Sequence, residues 1–171
     1  MTVDAGLDRF NLLPDAPERL LACCASASWS IRVADGRPYL SRDALRAASA
    51  AALAVLDWPS LRVAVDAHPR IGERVAQAGQ EATWSRGEQA GMVAATDQTR
   101  LALVEANRAY EDRFGHVFLI CATGRSDVEM LAAAKARVGN NEQTERAVVR
   151  AELAKIVALR LGKLLDSLDD L

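Results

Sequence analysis

Only one stretch of this 171-residue sequence, residues 117–122, has the pattern of a β-strand. It is a continuous apolar run that includes β-branched and aromatic side chains. The sequence holds no similar run that could pair with it in a sheet, so we interpret it as a buried extended connector. Elsewhere the apolar residues recur at helical spacing, alanine is abundant, and aromatic residues make up only 5% of the chain. Together these features predict an all-α fold.

Proline, glycine and capping residues set the predicted ends of the helices. The predicted helices cover about residues 16–26, 41–56, 61–68, 85–114, 126–139 and 142–165. Ser41 is the predicted N-cap of the second helix, Gly91 is the weak point of the fourth, and Gly115 ends the fourth. Polar residues 77–83 are predicted to form a loop over a cleft. We expect a single domain, 1–171, with a core at about 10–165 and six to eight helices.

Charge and cysteine content exclude several classes of function. The formal net charge is −2 and the pI is near 5.7, so we expect no nucleic-acid partner. The longest uncharged apolar stretch, residues 47–56, is too short to span a bilayer, so we expect no membrane partner. Neither a signal peptide nor a peroxisomal signal is expected at the chain ends. The three cysteines lack CxxC spacing, which favours reduced thiols and a cytoplasmic location.

The most specific local element is the sequence HPRIGE at residues 68–73. Proline disfavours the α conformation at the residue before it, so the preceding helix is predicted to stop at His68. An imidazole at a helix end can face a cleft and transfer protons near neutral pH. The alternative is that His68 only caps the helix or packs against its neighbours, which is the more common role of a single histidine.

The sequence SRGEQ at residues 85–89 allows two interpretations. In the first, Ser85 is an N-cap and Glu88 completes a capping box with it. In the second, Ser85, Glu88 and Gln89 share one face near a helix N-terminus, where positive potential and free N–H groups suit an anionic or carbonyl-rich ligand. Both interpretations start a helix at Ser85, and they are compatible with each other.

The C-terminal helix carries an arginine on its apolar face. That face is defined by apolar residues at helical spacing: Leu153, Ile156, Val157, Leu161 and Leu164. Arg160 falls near the middle of this stripe, so its guanidinium is predicted to point inward, where an unpaired charge is costly. We therefore expect it to meet a carboxylate, either in a structural salt bridge or on a bound substrate.

The connector also allows two interpretations. Residues 118–122 precede a predicted helix start and have no neighbouring strand, so their backbone N–H and C=O groups are available to a ring-shaped ligand. Simple packing in the core is the alternative.

Taken in order, these elements resemble the decarboxylases of 2-oxo-4-hydroxy-4-carboxy-5-ureidoimidazoline (OHCU), a family that acts in urate breakdown. The matching sequences are Phe10-Asn11, Cys23-Cys24-Ala25-Ser26 with Trp29, Arg37-Pro38, residues 68–73, Ser85-x-x-Glu88-Gln89, Phe114-Gly115, residues 118–122, Gly124-Arg125-Ser126 and Ile156-x-x-Leu159-Arg160-Leu161. The similarity runs from about residue 10 to residue 165, and HPRIGE is a specific part of it.

The resemblance implies an all-helical homodimer without a cofactor, which releases CO2 from OHCU to give (S)-allantoin. At the matching positions it implies that His68 and Glu88 are catalytic. The positions that it implies for binding of this small-molecule substrate are Pro69, Ser85, Gln89 and Arg160, with the backbone near Ile120 and Ala122.

Elementary chemistry agrees with the expectation that no cofactor and no metal are needed. A decarboxylase must accommodate the electron pair of the broken C–C bond, commonly in a pyridoxal or thiamine cofactor. OHCU has its own electron acceptor, a C=N bond next to the carbon that bears the carboxylate. Two alternatives stay open from the sequence: an enzyme of the same fold with another ureido or imidazoline substrate, and a non-catalytic helical binding module whose inward polar groups are structural pairs.

Overall fold

The structure is a computed structural model that describes residues 4–73 and 79–171. Within these residues it contains nine α-helices, one 3₁₀ turn and no β-strand, which confirms the predicted all-α class. The helices outnumber the prediction because two more form near the N-terminus and the predicted helix 85–114 is divided. The chain forms two compact units, one made of the chain up to Ala64 with Ala154–Leu171 and the other of Val65–Leu153. The single-domain organisation stays a prediction.

The first unit contains short helices from the N-terminal part of the chain. They are α1 (Ala5–Leu12), α2 (Ala16–Leu20), α3 (Ala27–Asp35) and α4 (Arg42–Ala54), with most of α5 (Trp58–Asp66) and the C-terminal part of α9 (Glu142–Asp169). Helix α3 packs against α2 and α4. Trp29 of α3 is fully buried, and its indole N–H donates to the Ser49 carbonyl at 3.2 Å. Ser41 accepts a hydrogen bond from the Ala44 N–H, which confirms the predicted N-cap.

Helices α1 and α3 are not predicted by the sequence pattern. Each has a side-chain N-cap, since Asp4 accepts from the Leu7 N–H at 3.1 Å and Ser26 accepts from the Trp29 N–H at 3.3 Å. They are only 8 and 9 residues long, which is shorter than the window needed to establish helical periodicity. The remaining sequence signal for each helix is its capping residue, which is weak evidence for a helix when no apolar periodicity follows it.

The second unit contains α6 (Gln80–Glu88), the 3₁₀ turn Ala90–Met92, α7 (Asp97–Phe114), α8 (Asp127–Arg137) and the first part of α9. Helix α7 packs against α8. Gly115 ends α7 with a positive φ of 77°, which confirms the predicted left-handed residue. The buried apolar cluster of this unit is Ile71, Met92, Leu103, Ala106, Tyr110, Phe118, Ile120, Ala122, Met130 and Ala134.

The prediction of one continuous helix over residues 85–114 is wrong. The chain leaves α6 after Glu88 and begins α7 only at Asp97. Thr96 caps α7, because its side chain accepts a hydrogen bond from the Thr99 N–H at 3.2 Å. Gly91, the predicted weak point, lies in the break, and a Cβ there would come within 2.2 Å of the Arg125 carbonyl oxygen. Close backbone approach therefore accounts for the glycine at this position.

The predicted loop over residues 77–83 is also partly wrong. Helix α6 begins at Gln80, so the second half of that segment is helical. Residues 77 and 78 lie outside the described residues. The polar composition of this segment is typical of a loop, and α6 has no marked apolar stripe that would indicate the 3.6-residue period of a helix.

Residues 117–122 form the buried connector that the sequence predicts. Every residue from Phe118 to Ala122 is at most 8% exposed. Helical side chains bind its backbone: Arg137 Nη1 donates to the Leu119 carbonyl at 2.7 Å, and Glu152 Oε2 accepts from the Cys121 N–H at 2.7 Å. Because buried backbone groups need partners, these side chains take the place of a neighbouring strand.

Among residues 4–73 and 79–171, no single helix is long and apolar enough to cross a membrane, and α4 and α5 meet those criteria only as a pair bent by 114°. Nor do three or more His, Cys, Asp or Glu side chains of those residues lie together as they would to hold a metal ion.

A buried ion pair joins α8 to α9. Arg137 Nε and Nη2 donate to Glu145 Oε1 at 2.8 and 2.5 Å, and the two side chains are 10% and 1% exposed. The Tyr110 hydroxyl donates to the same oxygen at 2.5 Å. Burial, with the hydrogen bond to Glu145, raises the pKa of Tyr110, so the hydroxyl keeps its proton and remains a donor. Asn140 Nδ2 donates to the other carboxylate oxygen, Oε2, at 3.0 Å, so Glu145 has three donor residues that compensate its buried charge.

Arg137→Met is expected to lower the free energy of unfolding by about 3–5 kcal/mol, because the Glu145 carboxylate stays buried without its cation. Arg146→Met is the matched control, since Arg146 pairs with Glu142 on the exposed side of α9, where the side chains are 44% and 69% exposed. That change should cost less than about 1 kcal/mol. Urea denaturation followed by circular dichroism measures both. Equal losses in the two variants would contradict a special role for the buried pair.

Candidate functional site

His68 lies just after α5, close to where the sequence predicts the helix to stop. Helix α5 ends at Asp66, and the His68 backbone N–H donates to the Val65 carbonyl at 3.1 Å. The histidine is largely buried, with 9% of its surface exposed. The Val117 N–H donates to Asp66 Oδ1 at 3.4 Å, which ties the end of α5 to the start of the connector. Pro69, the next predicted residue, is half-buried.

The turn that follows, residues 70–73, is fixed by hydrogen bonds and by one backbone conformation. The Glu73 N–H donates to the Arg70 carbonyl at 3.2 Å, and Gly72 has a φ of +87°, which favours glycine. The Arg70 guanidinium binds both carboxylate oxygens of Glu111 on α7, at 2.5 and 3.1 Å. Hydrogen bonding to Glu111 also raises the pKa of Arg70. The arginine of HPRIGE is thus engaged within the protein.

Ser85, Glu88 and Gln89 lie at the C-terminal end of α6. Ser85 and Glu88 are buried, at 3% and 9% exposure, and the Gln89 N–H donates to the Ser85 carbonyl. The N-cap of α6 is Gly79, so the predicted capping box on Ser85 is wrong. The predicted positive potential of a helix N-terminus is wrong as well, because a helix C-terminus carries the opposite partial charge. The spacing Ser-x-x-Glu also fits one turn inside a helix, so it could not locate the helix start.

Gln89 connects this end of α6 to the turn after His68. Its Oε1 accepts a hydrogen bond from the Gly72 N–H at 3.0 Å. Because a backbone N–H can only donate, this bond fixes the carboxamide with its oxygen toward the turn and its Nε2 at the opposite end. Gln89 also lines a cavity of about 390 Å³, a volume within the usual range for small-molecule sites. The lining residues are Gly72, Glu73, Arg86, Gln89, Met92, Val93 and Arg100.

Ile120 and Ala122 of the connector are buried, at 4% and 5% exposure. They belong to the same apolar cluster as Ile71, which follows His68, and Met92, which follows α6. The second unit therefore packs together the three segments on which all the predicted site residues except Arg160 are found.

Arg160 belongs to the first unit. It is 1% exposed on α9, in agreement with the predicted inward orientation, and its Nη1 donates to the Ala22 carbonyl at 3.1 Å. Cys23 and Cys24 are free and buried nearby. Burial raises the pKa of both thiols to about 12, although the charge of Arg160 acts in the opposite direction. The thiols are neutral at physiological pH and place no negative charge beside the guanidinium.

Two residues that hold the site segments were missed from the sequence. Asn107 Nδ2 donates to the Ile71 carbonyl at 3.0 Å, and Glu152 binds the Cys121 N–H. Both are polar residues at positions where the helical spacing of their neighbours is apolar, the same signal that singled out Arg160. Applied to α7 and to the start of α9, that criterion would have found them.

The known proteins that are similar to this chain are OHCU decarboxylases and proteins of uric acid degradation. The family model described as OHCU decarboxylase matches residues 14–162. The chain is 34% identical over 148 residues to the uric acid degradation bifunctional protein TTL of Arabidopsis thaliana, covering 83% of this chain and 45% of that protein. It is 32% identical over 139 residues to the 2-oxo-4-hydroxy-4-carboxy-5-ureidoimidazoline decarboxylase of Amia calva, covering 80% of this chain and 77% of that protein.

A solved structure of an OHCU decarboxylase is also similar to this chain. A crystal structure of OHCU decarboxylase in the presence of (S)-allantoin matches with a TM-score of 0.76 and 26% identity, covering 87% of this chain and 98% of that one. The chain thus spans nearly all of this solved protein but less than half the length of the Arabidopsis relative.

Because the thiols of Cys23 and Cys24 are buried, we expect the free energy of unfolding to fall in alkaline solution. In the unfolded chain, Cys23 and Cys24 titrate near pH 8.5, whereas in the folded protein their pKa is raised to about 12. Between these values the unfolded state binds fewer protons, so the free energy of unfolding falls as pH rises, by up to about 1.4 kcal/mol per pH unit for each thiol. The double variant Cys23→Ala/Cys24→Ala should therefore show a shallower decline.

Urea denaturation at pH 7 to 11 measures this slope. Ser26→Ala is the control, because it removes the N-cap of α3 without removing a titrating group, and it should keep the wild-type slope. Parallel curves for the wild type and the double cysteine variant would rule out the predicted linkage.

Proposed function

Since this chain belongs to the OHCU decarboxylase family, we propose that it decarboxylates OHCU to (S)-allantoin and CO2 in urate degradation, without a cofactor. The observation that carries this proposal is the family match over residues 14–162, a range that includes every predicted site residue. The buried position of His68 and the fixed orientation of Gln89 support it.

The proposed reaction balances without an external electron acceptor. The bond between the ring carbon and its carboxylate breaks and CO2 leaves. The electron pair forms a C=C bond to the carbon of the adjacent C=N group, and the pair displaced from that group goes to its nitrogen. The nitrogen takes up a proton, and the ring hydroxyl gives one up as it becomes the carbonyl of (S)-allantoin. A proton is then delivered to the carbon of that former C=N bond, and delivery from one face gives the S configuration. The protein therefore has to bind an anion, fix a small ring and supply one proton.

Arg160 is the proposed partner of the substrate carboxylate. A guanidinium that is 1% exposed is shielded from water, which strengthens its interaction with an anion. Ser85, Gln89 and the backbone near Ile120 and Ala122 are the proposed contacts to the ring. Gln89 would donate from Nε2, since its Oε1 is bound to the Gly72 N–H.

His68 is the proposed proton donor, with Glu88 as its proposed partner in the proton transfer and Pro69 beside it against the substrate. Histidine titrates close to neutral pH, which suits both the gain and the loss of a proton during turnover. His68 and Glu88 are each only 9% exposed, so the transfer would be screened from bulk water. A homodimer and a cytoplasmic location complete the proposal, the first on the family resemblance and the second on the lack of CxxC spacing among the three buried cysteines.

His68→Asn is expected to lower kcat by about 10²–10⁴-fold, the usual contribution of a general acid or base. The assay follows the appearance of (S)-allantoin from freshly generated OHCU by circular dichroism. His116→Asn is the control, because it alters the other of the two histidines, whose Nδ1 contacts the Val117 carbonyl. If the wild type forms (S)-allantoin no faster than buffer does, the proposed substrate is wrong. If His68→Asn is as active as the wild type, the proposed role of His68 is wrong.

Arg160→Lys keeps the positive charge but loses the planar fork that binds a carboxylate through two bonds. We expect kcat/KM for OHCU to fall about 10–100-fold, which corresponds to about 1.5–3 kcal/mol for a hydrogen bond to a charged group. Binding of (S)-allantoin, which lacks the carboxylate, should change much less when it is measured by calorimetry. Equal weakening of both ligands would contradict carboxylate binding by Arg160 and indicate a structural role.

A further inference from the structure

One peptide group in the turn after His68 is held at both ends by side chains. The Ile71 carbonyl accepts a hydrogen bond from Asn107 Nδ2 at 3.0 Å. The N–H of Gly72, which belongs to the same peptide group, donates to Gln89 Oε1 at 3.0 Å. Because a peptide group is planar and rigid, bonds to both its oxygen and its nitrogen fix its orientation. We refer to Asn107 and Gln89 as the peptide clamp.

Helix α7 contacts this turn along a single face. Leu103, Asn107 and Glu111 follow one another at intervals of four residues, so they lie on one side of the helix. Glu111 binds the Arg70 guanidinium, and a Cβ on Gly72 would lie 3.3 Å from Leu103 Cδ2. Three successive turns of α7 thus contact successive residues of the loop, with Asn107 in the middle.

Asn107 is not explained by packing alone. The residue is only 4% exposed, and its Oδ1 accepts no hydrogen bond from the residues that the structure describes. A buried polar atom of that kind is unfavourable and needs an explanation. The amide is explained by its Nδ2, which provides the donor that the Ile71 carbonyl needs and that an apolar side chain of the same size lacks.

We infer that Asn107 is a positioning residue for His68, acting through the peptide clamp. His68 is fixed on one side by its own N–H, which donates to the Val65 carbonyl. On the other side only residues 69 and 70 separate it from Ile71, whose carbonyl is clamped, and the ring of Pro69 restricts φ within that span. Loss of the hydrogen bond to the Ile71 carbonyl therefore removes one of the contacts that hold the backbone on this side of the imidazole, so the position of His68 should change. The catalytic consequence rests on the proposed function, whereas the structural one does not.

The histidine content of the chain makes the position of His68 directly observable. The sequence has two histidines, so a protein labelled with ¹³C at histidine Cε1 gives two ring signals, and His68→Asn identifies the one from His68. In Asn107→Leu, which keeps the approximate size of the side chain but removes the donor, the His68 signal should shift or split in the ligand-free protein. An unmoved His68 signal in this folded variant overturns the inference, whatever its activity.

A matched control is available in the first unit. Asn11 Nδ2 donates to the Tyr39 carbonyl at 2.9 Å, and its Oδ1 accepts from the Tyr39 N–H at 2.8 Å. Asn11→Leu therefore removes the same kind of bond between a side-chain amide and a carbonyl, together with one further bond. It should lower the melting temperature without moving the His68 signal or changing kcat. If Asn11→Leu moves the His68 signal as much as Asn107→Leu does, the effect is a general loss of stability and the inference fails.

Activity provides a second readout. Asn107→Leu should lower kcat by about 10–100-fold, the effect expected from a small misplacement of a catalytic group, while KM stays near the wild-type value. A kcat equal to that of the wild type at full folding overturns the inference. If the wild type does not convert OHCU, the proposed function fails, and the His68 signal alone then decides the positioning role.

The other end of the clamp gives an independent pair of variants, which also serves if Asn107→Leu does not fold. Gln89→Glu keeps an oxygen that can accept from the Gly72 N–H, whereas Gln89→Met does not. In the ligand-free protein, Gln89→Met should move the His68 signal and Gln89→Glu should leave it in place. An unmoved signal in Gln89→Met overturns the inference.

Discussion

Buried backbone outside regular secondary structure must find hydrogen-bond partners, and in the second unit those partners are helical side chains. Residues 117–122 have no strand beside them among the residues that the structure describes, and Arg137 and Glu152 bind their backbone instead. The turn after His68 is held in the same way by Asn107 and Gln89. Because these segments carry candidate site residues, the interactions that satisfy buried backbone also determine where those residues lie.

Local signals in the sequence were sufficient where one residue determines the conformation. Ser41 caps α4 and Gly115 ends α7, and both could be predicted because each effect depends on a single residue and its immediate backbone. The predicted N-cap at Ser85 is wrong because the spacing Ser-x-x-Glu is equally compatible with the last turn of a helix. The true N-cap, Gly79, has no side chain that could have revealed the helix start. Gly91 is required by the Arg125 carbonyl, which is remote in sequence, so a local pattern does not reveal the contact.

The positions of inward polar residues could be predicted better than their partners. Helical spacing shows that Arg160 lies on an apolar face, and the same criterion applies to Asn107 and Glu152. It does not reveal that Asn107 binds the Ile71 carbonyl or that Glu152 binds the Cys121 N–H, since each bond crosses between elements more than 30 residues apart. The family resemblance supplied candidate substrate contacts at fixed positions, but it gave no account of the residues that hold those positions in place.

Gln89 shows why that second set of residues matters for an enzyme of the proposed kind, without a cofactor. Such an enzyme gains its rate from placing charge and a proton donor accurately, so small displacements reduce turnover. The oxygen of Gln89 holds the turn after His68, and the nitrogen of the same amide is the proposed contact to the substrate. One rigid amide would therefore join substrate contact to the placement of the imidazole. A loss of activity in a Gln89 variant would combine both effects. Asn107 binds the opposite end of the same peptide group and is not a proposed substrate contact, so a variant of Asn107 tests the placement of the imidazole alone.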